Sequence, residues 1–144
     1  MILRRLAEAA LILAVTCPVV PTPAWAAPAP AATRAVLQPP LPVADFPSQV
    51  ERACHIWLDL AWPTNTRPVD FVIPGPEYIR GSSPYGNRSG DLPSGGAYHE
   101  YDVNPRPTPT THRDAERLIR DEATEQVWYT SDHYANFREI SEGC

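Results

Sequence analysis

In the stretch AYHEYDV, residues 97–103, every second side chain belongs to the same set. Successive residues of a β-strand point to opposite faces of the sheet, so this pattern predicts a strand. Tyr98, Glu100 and Asp102 share one face, and the residues between them share the other. One face of the predicted strand is therefore polar.

Elements on both sides of this strand indicate the fold class. Three further runs downstream read as strands, at 117–120, 126–130 and 137–140. Upstream, SQVERACHIWLDLAW has helical spacing, with Ser48 and Glu51 as a capping box and Pro63 as the end. A short helical turn is predicted from Pro68 and a loop over 80–96. We therefore expect an α+β domain in which one N-terminal helix packs on a small antiparallel sheet.

The N-terminal region predicts export. Arg4 and Arg5, an apolar run and a small-residue cleavage site ending at Ala26 are typical of a signal peptide over 1–26. Three prolines interrupt the run, which argues against a membrane span. A lipoprotein signal around Cys17 is the alternative. Residues 27–46 are rich in Ala and Pro and predict an extended tether, which leaves 47–144 as the folded domain.

Charge restricts the classes of ligand. The chain has a formal net charge of −5 and no lysine. Removing residues 1–26 makes it more acidic, since two arginines and one glutamate are lost. An indiscriminate nucleic-acid binder is therefore disfavoured. Any anionic ligand must meet a local cluster of arginines.

Two cysteines remain after the signal peptide. Cys54 and Cys144 in an oxidising compartment favour a disulfide. The alternative is that Cys54 is a buried free thiol on a helix face.

Five residues stand out as candidates for chemistry: Glu100, His133, Arg88, Arg113 and Arg117. Taken singly, each has an ordinary interpretation as a solvated or ion-paired surface group. Together, a carboxylate, a histidine and several arginines supply the acid, base and positive charge that phosphodiester transfer requires. No spacing typical of a metal site or a phosphate-binding glycine loop occurs, so we expect neither metal nor cofactor.

Four motifs in order carry a family resemblance: NRSGDLP, YHEYDV, RDAERLIRDEAT and WYTSDHYANF, followed by Cys144. They resemble the secreted guanyl-preferring ribonucleases of actinobacterial type, relatives of barnase. The resemblance covers roughly Cys54 to Cys144. It implies a metal-independent endoribonuclease that cleaves single-stranded RNA through a 2′,3′-cyclic phosphate to a 3′-phosphate.

The resemblance also implies residue roles. Glu100 would be the general base and His133 the general acid. The phosphate would be held by Arg88, Arg113 and Arg117, with Tyr134 beside it. The base-recognition loop would comprise Tyr85, Gly86, Asn87, Arg88 and Ser89.

The chain departs from the family at three points. Ser89 stands where the family has an acidic residue that binds guanine, which predicts a weakened guanine preference unless Asp91 reaches the base. The loop between Glu100 and Arg113 is two residues longer than expected. Cys54 falls inside the predicted helix, whereas the family's first cysteine precedes it.

Two other function classes compete with a secreted ribonuclease. One is a catalytically weak RNA- or protein-binding module on the same fold, and the other is a toxin domain with the same chemistry. The resemblance further implies a monomer without membrane association and an intracellular inhibitor similar to barstar.

Overall fold

A computed structural model of the chain describes residues 36–144. The predicted signal peptide lies outside the described residues, as does the tether up to residue 35. Within the described part, the chain forms one α-helix, one short 3-10 turn and seven strands. No helix of residues 36–144 is long and apolar enough to cross a membrane.

The elements follow one another along the chain as β1 Val36–Leu41, a 3-10 turn Val43–Asp45, α1 Ser48–Asp59, β2 Val69–Ile73, β3 Glu77–Pro84, β4 Tyr98–Asp102, β5 Arg117–Asp121, β6 Val127–Thr130 and β7 Asn136–Ile140. The strands form one sheet in the order β1-β7-β6-β5-β4-β3-β2. All neighbours are antiparallel except β1 and β7, which are parallel. The α+β class is confirmed, but the sheet is mixed and larger than expected.

The tether prediction is wrong from residue 36 onward. β1 pairs with β7, and Val43 is buried under the sheet. The Gln38 side chain accepts a hydrogen bond from Arg138 Nε at 2.8 Å. An extended, proline-containing segment can join a sheet at its edge, where Pro39 and Pro40 need not donate to a further strand.

Helix α1 was predicted correctly, but its capping was not. Pro47 occupies the N-cap position, and no side chain caps the helix there. The amide of Val50 donates instead to the carbonyl of Pro47 at 2.8 Å. Ser48 is already inside the helix, so it forms no capping box with Glu51.

Two further predictions are wrong, for the segments that form β2 and β3. The segment after Pro68 forms β2 rather than a helical turn, and residues 77–84 form β3, where a loop was expected from residue 80. A bulge at Ser82, whose φ is 74°, interrupts the register between β3 and β4. The bulge breaks the two-residue alternation by which a strand is recognised in sequence.

The main core lies between α1 and one face of the sheet. Trp57 is fully buried, and its ring packs at 4.9 Å from Tyr101 and 5.7 Å from Phe71. Its indole donates to the carbonyl of Asp102 at 2.8 Å. A Cβ on Gly81 would lie 2.8 Å from the rings of Trp57 and Tyr101, so only glycine fits there. This contact fixes β4 beneath the helix.

The disulfide prediction is confirmed. Cys54 and Cys144 are bonded, with their Cα atoms 4.9 Å apart. Cys54 lies within α1 and is fully buried. The bond therefore attaches the segment after β7 directly to the helix.

The opposite face of the sheet carries a smaller core and the polar side chains. Tyr98, Ile119, Trp128 and Phe137 form a second buried cluster with Leu92. Glu100 and Asp102 point to this same face by alternation along β4. The candidate residues thus lie on the side of the sheet away from α1.

Candidate active site

Glu100 lies in the middle of β4 with its side chain only 15 % exposed. Its Oε1 accepts a hydrogen bond from Arg113 Nη2 at 2.7 Å, and Arg117 Nε lies 3.7 Å from the same oxygen. Its Oε2 accepts a hydrogen bond from the phenol of Tyr134. Burial raises the pKa of the Glu100 carboxyl, but these hydrogen bonds and charges outweigh burial and bring the pKa below its ordinary value. The carboxylate form is therefore favoured.

Asp102 is a site residue that sequence reasoning did not assign. Its Oδ1 accepts from Arg113 Nε at 2.8 Å and lies 3.5 Å from Arg117 Nε. Its side chain is 2 % exposed, and burial raises its pKa although the arginines partly oppose this. Asp102 thus orients the two arginines that contact Glu100. Its place on the same strand face as Glu100 was the only signal in the sequence.

Strand register explains why these groups meet. In the β4–β5 pair, Asp102 is opposite Arg117 and Glu100 is opposite Ile119. Arg113 reaches the same carboxylates from the loop before β5. Because Arg117 is 3 % exposed and Arg113 is 25 % exposed, Arg113 presents more of its guanidinium to solvent.

His133 lies in a tight loop between β6 and β7. His133 and Tyr134 both have positive φ, at 56° and 75°. Two anchors hold this unusual backbone: Tyr134 N donates to Thr130 Oγ1 at 3.0 Å, and Asn136 N donates to Asp132 Oδ1 at 2.9 Å. Such conformations cost about 1–3 kcal/mol each and persist where surrounding contacts impose them. The result is an exposed His133 ring.

The backbone of His133 also connects to the arginine loop. Its amide donates to the carbonyl of Ala115 at 3.2 Å. Arg113, Arg117 and His133 line one open cleft of about 460 Å³. An imidazole and two guanidinium groups therefore share one cleft, and both arginines also contact Glu100.

Tyr134 lines a second pocket, which we call the base pocket because the predicted base-recognition loop lines it too. It is lined by Pro84, Tyr85, Gly86, Asn87, Arg88, Ser89, Asp91 and Tyr134. The structure thus brings the predicted loop residues together. Arg88 lines this pocket rather than the cleft that contains Arg113 and Arg117.

Asn87 shapes the loop of the base pocket. Its φ is 40°, its Nδ2 donates to the carbonyl of Leu92 at 2.9 Å, and its Oδ1 accepts from the amide of Leu92 at 3.1 Å. The amide of Gly90 donates to the Asn87 carbonyl at 2.9 Å. These bonds close residues 87–92 into a compact loop.

Tyr134 connects the base pocket with the cleft. Its ring centroid lies 5.2 Å from that of Tyr85 and 4.7 Å from that of His133. Burial, together with the Glu100 carboxylate, raises the pKa of the Tyr134 phenol. The phenol therefore stays protonated and able to donate.

Comparison with known proteins assigns the family. The model of a ribonuclease family matches residues 29–141 of the chain. The chain belongs to this ribonuclease family. Guanyl-specific ribonuclease Sa3 of Kitasatospora aureofaciens is 36 % identical over 97 residues, which is 66 % of this chain and 67 % of that protein. Guanyl-specific ribonuclease Sa of the same organism is 46 % identical over 61 residues, which is 40 % of this chain and 60 % of that protein.

The family assignment agrees with the chemistry of the site. The ribonuclease is an enzyme whose cleft is lined by a histidine and two arginines, and both arginines contact the carboxylate of Glu100. Among residues 36–144, no group of three or more His, Cys, Asp or Glu side chains is arranged to hold a metal ion.

Proposed function

We propose that the ribonuclease is a metal-independent endoribonuclease that cleaves single-stranded RNA in two steps. The observation that carries this proposal is the position of Glu100. Its carboxylate is held by Tyr134 and Arg113 beside the cleft that His133 lines. Transfer of the phosphoryl group to RNA's own 2′-hydroxyl requires a base, an acid and fixed cations around one space.

In the first step, Glu100 takes the proton of the 2′-hydroxyl, and the 2′-oxygen attacks phosphorus. His133 donates a proton to the 5′-oxygen as the P–O5′ bond breaks. The products are a 2′,3′-cyclic phosphate and a free 5′-hydroxyl. Arg113 and Arg117 stabilise the negative charge on the pentacoordinate phosphorus, and Arg88 contacts the phosphate from the base pocket.

In the second step, the two groups exchange roles. The neutral His133 takes a proton from water, whose oxygen attacks phosphorus, and the protonated Glu100 returns a proton to the 2′-oxygen. The P–O2′ bond breaks and a 3′-phosphate forms. Removing either group should slow both steps, since each acts once as acid and once as base.

The base pocket binds the nucleobase on the 5′ side of the cleaved bond. Tyr85 offers a ring for stacking, and Gly86 and Asn87 offer backbone groups. Ser89 can donate or accept one hydrogen bond but lacks the paired oxygens of a carboxylate. Two relatives are named guanyl-specific. We infer a guanine preference that is weaker than a carboxylate at residue 89 would give.

Asp91 supports the remaining preference. It lines the same pocket as Ser89, and only 9 % of it is exposed. Burial raises the pKa of Tyr85, and the negative charge of Asp91 raises it further, which indicates that the two side chains are close. Asp91 would accept hydrogen bonds from guanine at its N1 and N2 positions.

The sequence and the disulfide support a secreted setting for the enzyme. Residues 1–26 would direct export and be removed, and the mature protein would act outside the cell as a monomer. The disulfide is compatible with an oxidising compartment. The producing cell would then need an inhibitor similar to barstar, whose acidic surface would bind the arginine cleft.

The test uses refolded, oxidised protein from Ala27 to Cys144. Cleavage of GpC, ApC, CpC and UpC is measured with excess EDTA, and products are separated by chromatography. We expect a cyclic phosphate to accumulate before the 3′-phosphate. Folded protein that cleaves no dinucleotide would contradict the proposal and favour a binding module.

A further inference from the structure

The proline-rich loop between β4 and Arg113 folds around a buried arginine. Arg106 is 5 % exposed, and its Nη1 donates to the carbonyls of Pro109 at 2.9 Å and Thr111 at 2.8 Å. Its backbone exchanges two hydrogen bonds with Tyr78 of β3, at 2.7 and 2.8 Å. The loop is therefore held from inside, up to the second residue before Arg113.

The other two nitrogens of the Arg106 guanidinium face carboxylates. Nη2 donates to Asp70 Oδ1 at 2.5 Å, and Nε lies 3.8 Å from Asp102 Oδ2. Arg106 Nε and Asp102 Oδ2 are both buried, and neither makes a hydrogen bond with any of residues 36–144. Arg106 therefore supplies positive charge to an oxygen of Asp102 that no donor of the described chain satisfies.

Asp102 connects Arg106 with Arg113. Its other oxygen, Oδ1, accepts from Arg113 Nε at 2.8 Å, while Arg113 Nη2 donates to Glu100 at 2.7 Å. Because a guanidinium is planar and rigid, holding Nε on one carboxylate determines the direction of the other two nitrogens. Burial raises the pKa of the Asp102 carboxyl, and Arg106 is among the arginines whose charge opposes the rise. Removing that charge would favour the neutral acid, which holds a guanidinium less strongly.

We propose that Arg106 is a positioning residue, which holds Arg113 in place by fixing both the loop before it and the carboxylate that orients its guanidinium. Arg106 is not among the residues that line the cleft with Arg113, so it acts through that residue. Without such an anchor, a loop of this length would leave Arg113 free to move. The inference rests on the proposed function, in which Arg113 stabilises the charge on phosphorus.

Hydrogen exchange at arginine side chains, followed by NMR, tests the positioning without any need for catalysis. The Nε–H of Arg113 should exchange slowly in the wild type, because it donates to Asp102. In Arg106→Met we expect this exchange to be about tenfold faster, since local opening becomes easier. Arg138 is the matched internal control, because its Nε donates to Gln38 at the same distance of 2.8 Å. Its exchange should not change.

Kinetics test whether the effect reaches catalysis. Arg106→Lys is made alongside Arg106→Met, because it keeps the cation but replaces a planar fork of donors by one nitrogen. We expect kcat/KM for GpC to fall about tenfold in the methionine variant and less in the lysine variant, mainly through kcat. In an Arg113→Lys background, the same changes should cost less than about twofold, since the guanidinium that they position is gone. Circular dichroism checks that each variant is folded, and the lysine variant replaces the methionine variant if the latter is not.

Exchange at Arg113 that stays slow in both folded variants of Arg106 would overturn the assignment. Equal acceleration at Arg113 and Arg138 would also overturn it, since Arg106 would then act on the stability of the whole fold. Losses that simply add in the double variants would show that Arg106 does not act through Arg113. A wild type that cleaves no dinucleotide would contradict the proposed function, whereas faster exchange confined to Arg113 would still support the positioning.

Discussion

The phenol of Tyr134 donates a hydrogen bond to Oε2 of Glu100, while Arg113 donates to the other oxygen of the same carboxylate. The base of the proposed reaction is thus held from two directions by residues of two different loops. Both donors favour the ionised form, which is the form that can accept a proton. The same tyrosine also contacts His133, so one ring positions both groups of the acid–base pair.

Tyr134→Phe should move the acidic limb of the kcat/KM–pH profile to higher pH. Glu100 has a lowered pKa, partly because of the hydrogen bond from Tyr134. Losing that donor makes the carboxylate less favourable, so its pKa rises and the base becomes protonated at a higher pH. A hydrogen bond to a charged group contributes about 1.5–3 kcal/mol, so kcat/KM on the acidic limb should fall at least about tenfold. An unmoved acidic limb would contradict the coupling.

Glu100→Gln should remove the acidic limb altogether. An amide cannot accept the 2′-hydroxyl proton, and general-base catalysis typically contributes about 10²–10⁴-fold. The limb at high pH should persist in the residual activity. Glu51→Gln is the control, because Glu51 is exposed in the first turn of α1. Survival of both limbs with full activity would show that another group is the base.

Substitutions in the base pocket should change the ratio of kcat/KM for GpC and ApC. We expect a wild-type ratio below about a thousandfold, since Ser89 cannot make the paired contacts of a carboxylate. Ser89→Glu should raise the ratio at least about tenfold. Asp91→Asn should lower the wild-type ratio towards one, and a ratio unaffected by this change would remove Asp91 from base recognition.

Arg106→Met should destabilise the protein. Arg106 Nη2 donates to Asp70 Oδ1 at 2.5 Å, and its Nε lies 3.8 Å from Asp102 Oδ2. Removing the cation leaves the buried carboxylate of Asp102 and the partly buried carboxylate of Asp70 with less compensation, and breaking a buried pair typically costs about 3–5 kcal/mol. Urea denaturation measures the change in the free energy of unfolding. Arg67→Met, at an exposed position, should change it by no more than about 0.5 kcal/mol.

Replacing both cysteines by alanine should lower the free energy of unfolding by about 3–5 kcal/mol, since the bond closes a loop of 90 residues. The melting temperature should fall accordingly. Reducing agent should reproduce the effect in the wild type and have no effect on the double variant. Equal melting temperatures of the oxidised wild type, the reduced wild type and the double variant would show that the bond does not stabilise the fold.

Local pattern was enough to predict α1 and the four strands that became β4 to β7. Each has a clear repeat of apolar side chains, so alternation or helical spacing identifies it. β1 was missed because Pro39 and Pro40 resemble a tether, and its place in the sheet depends on β7, about a hundred residues away. β3 was missed because the bulge at Ser82 breaks its alternation.

The site residues that lie within the sequence motifs could be predicted from the sequence. Glu100, Arg113, Arg117 and His133 were chosen by residue type and order. The structure places Arg113, Arg117 and His133 around one cleft, and both arginines contact Glu100. Asp102 and Arg106 were not predicted, because both act through ion pairs that join different strands and loops. Such pairs depend on strand register and loop path, which no local pattern contains.

The parallel pairing of β1 with β7 has a kinetic consequence. Gln38 contacts Arg138 across 100 residues of chain, so among the described strands β1 and β7 form the pair that is most distant in sequence. Proteins dominated by contacts between distant residues fold slowly, in milliseconds to seconds. We therefore expect β1 to dock last. In the oxidised chain the Cys54–Cys144 bond already holds the segment after β7 near α1, so much of the loop-closure entropy of this final step has been lost before refolding begins.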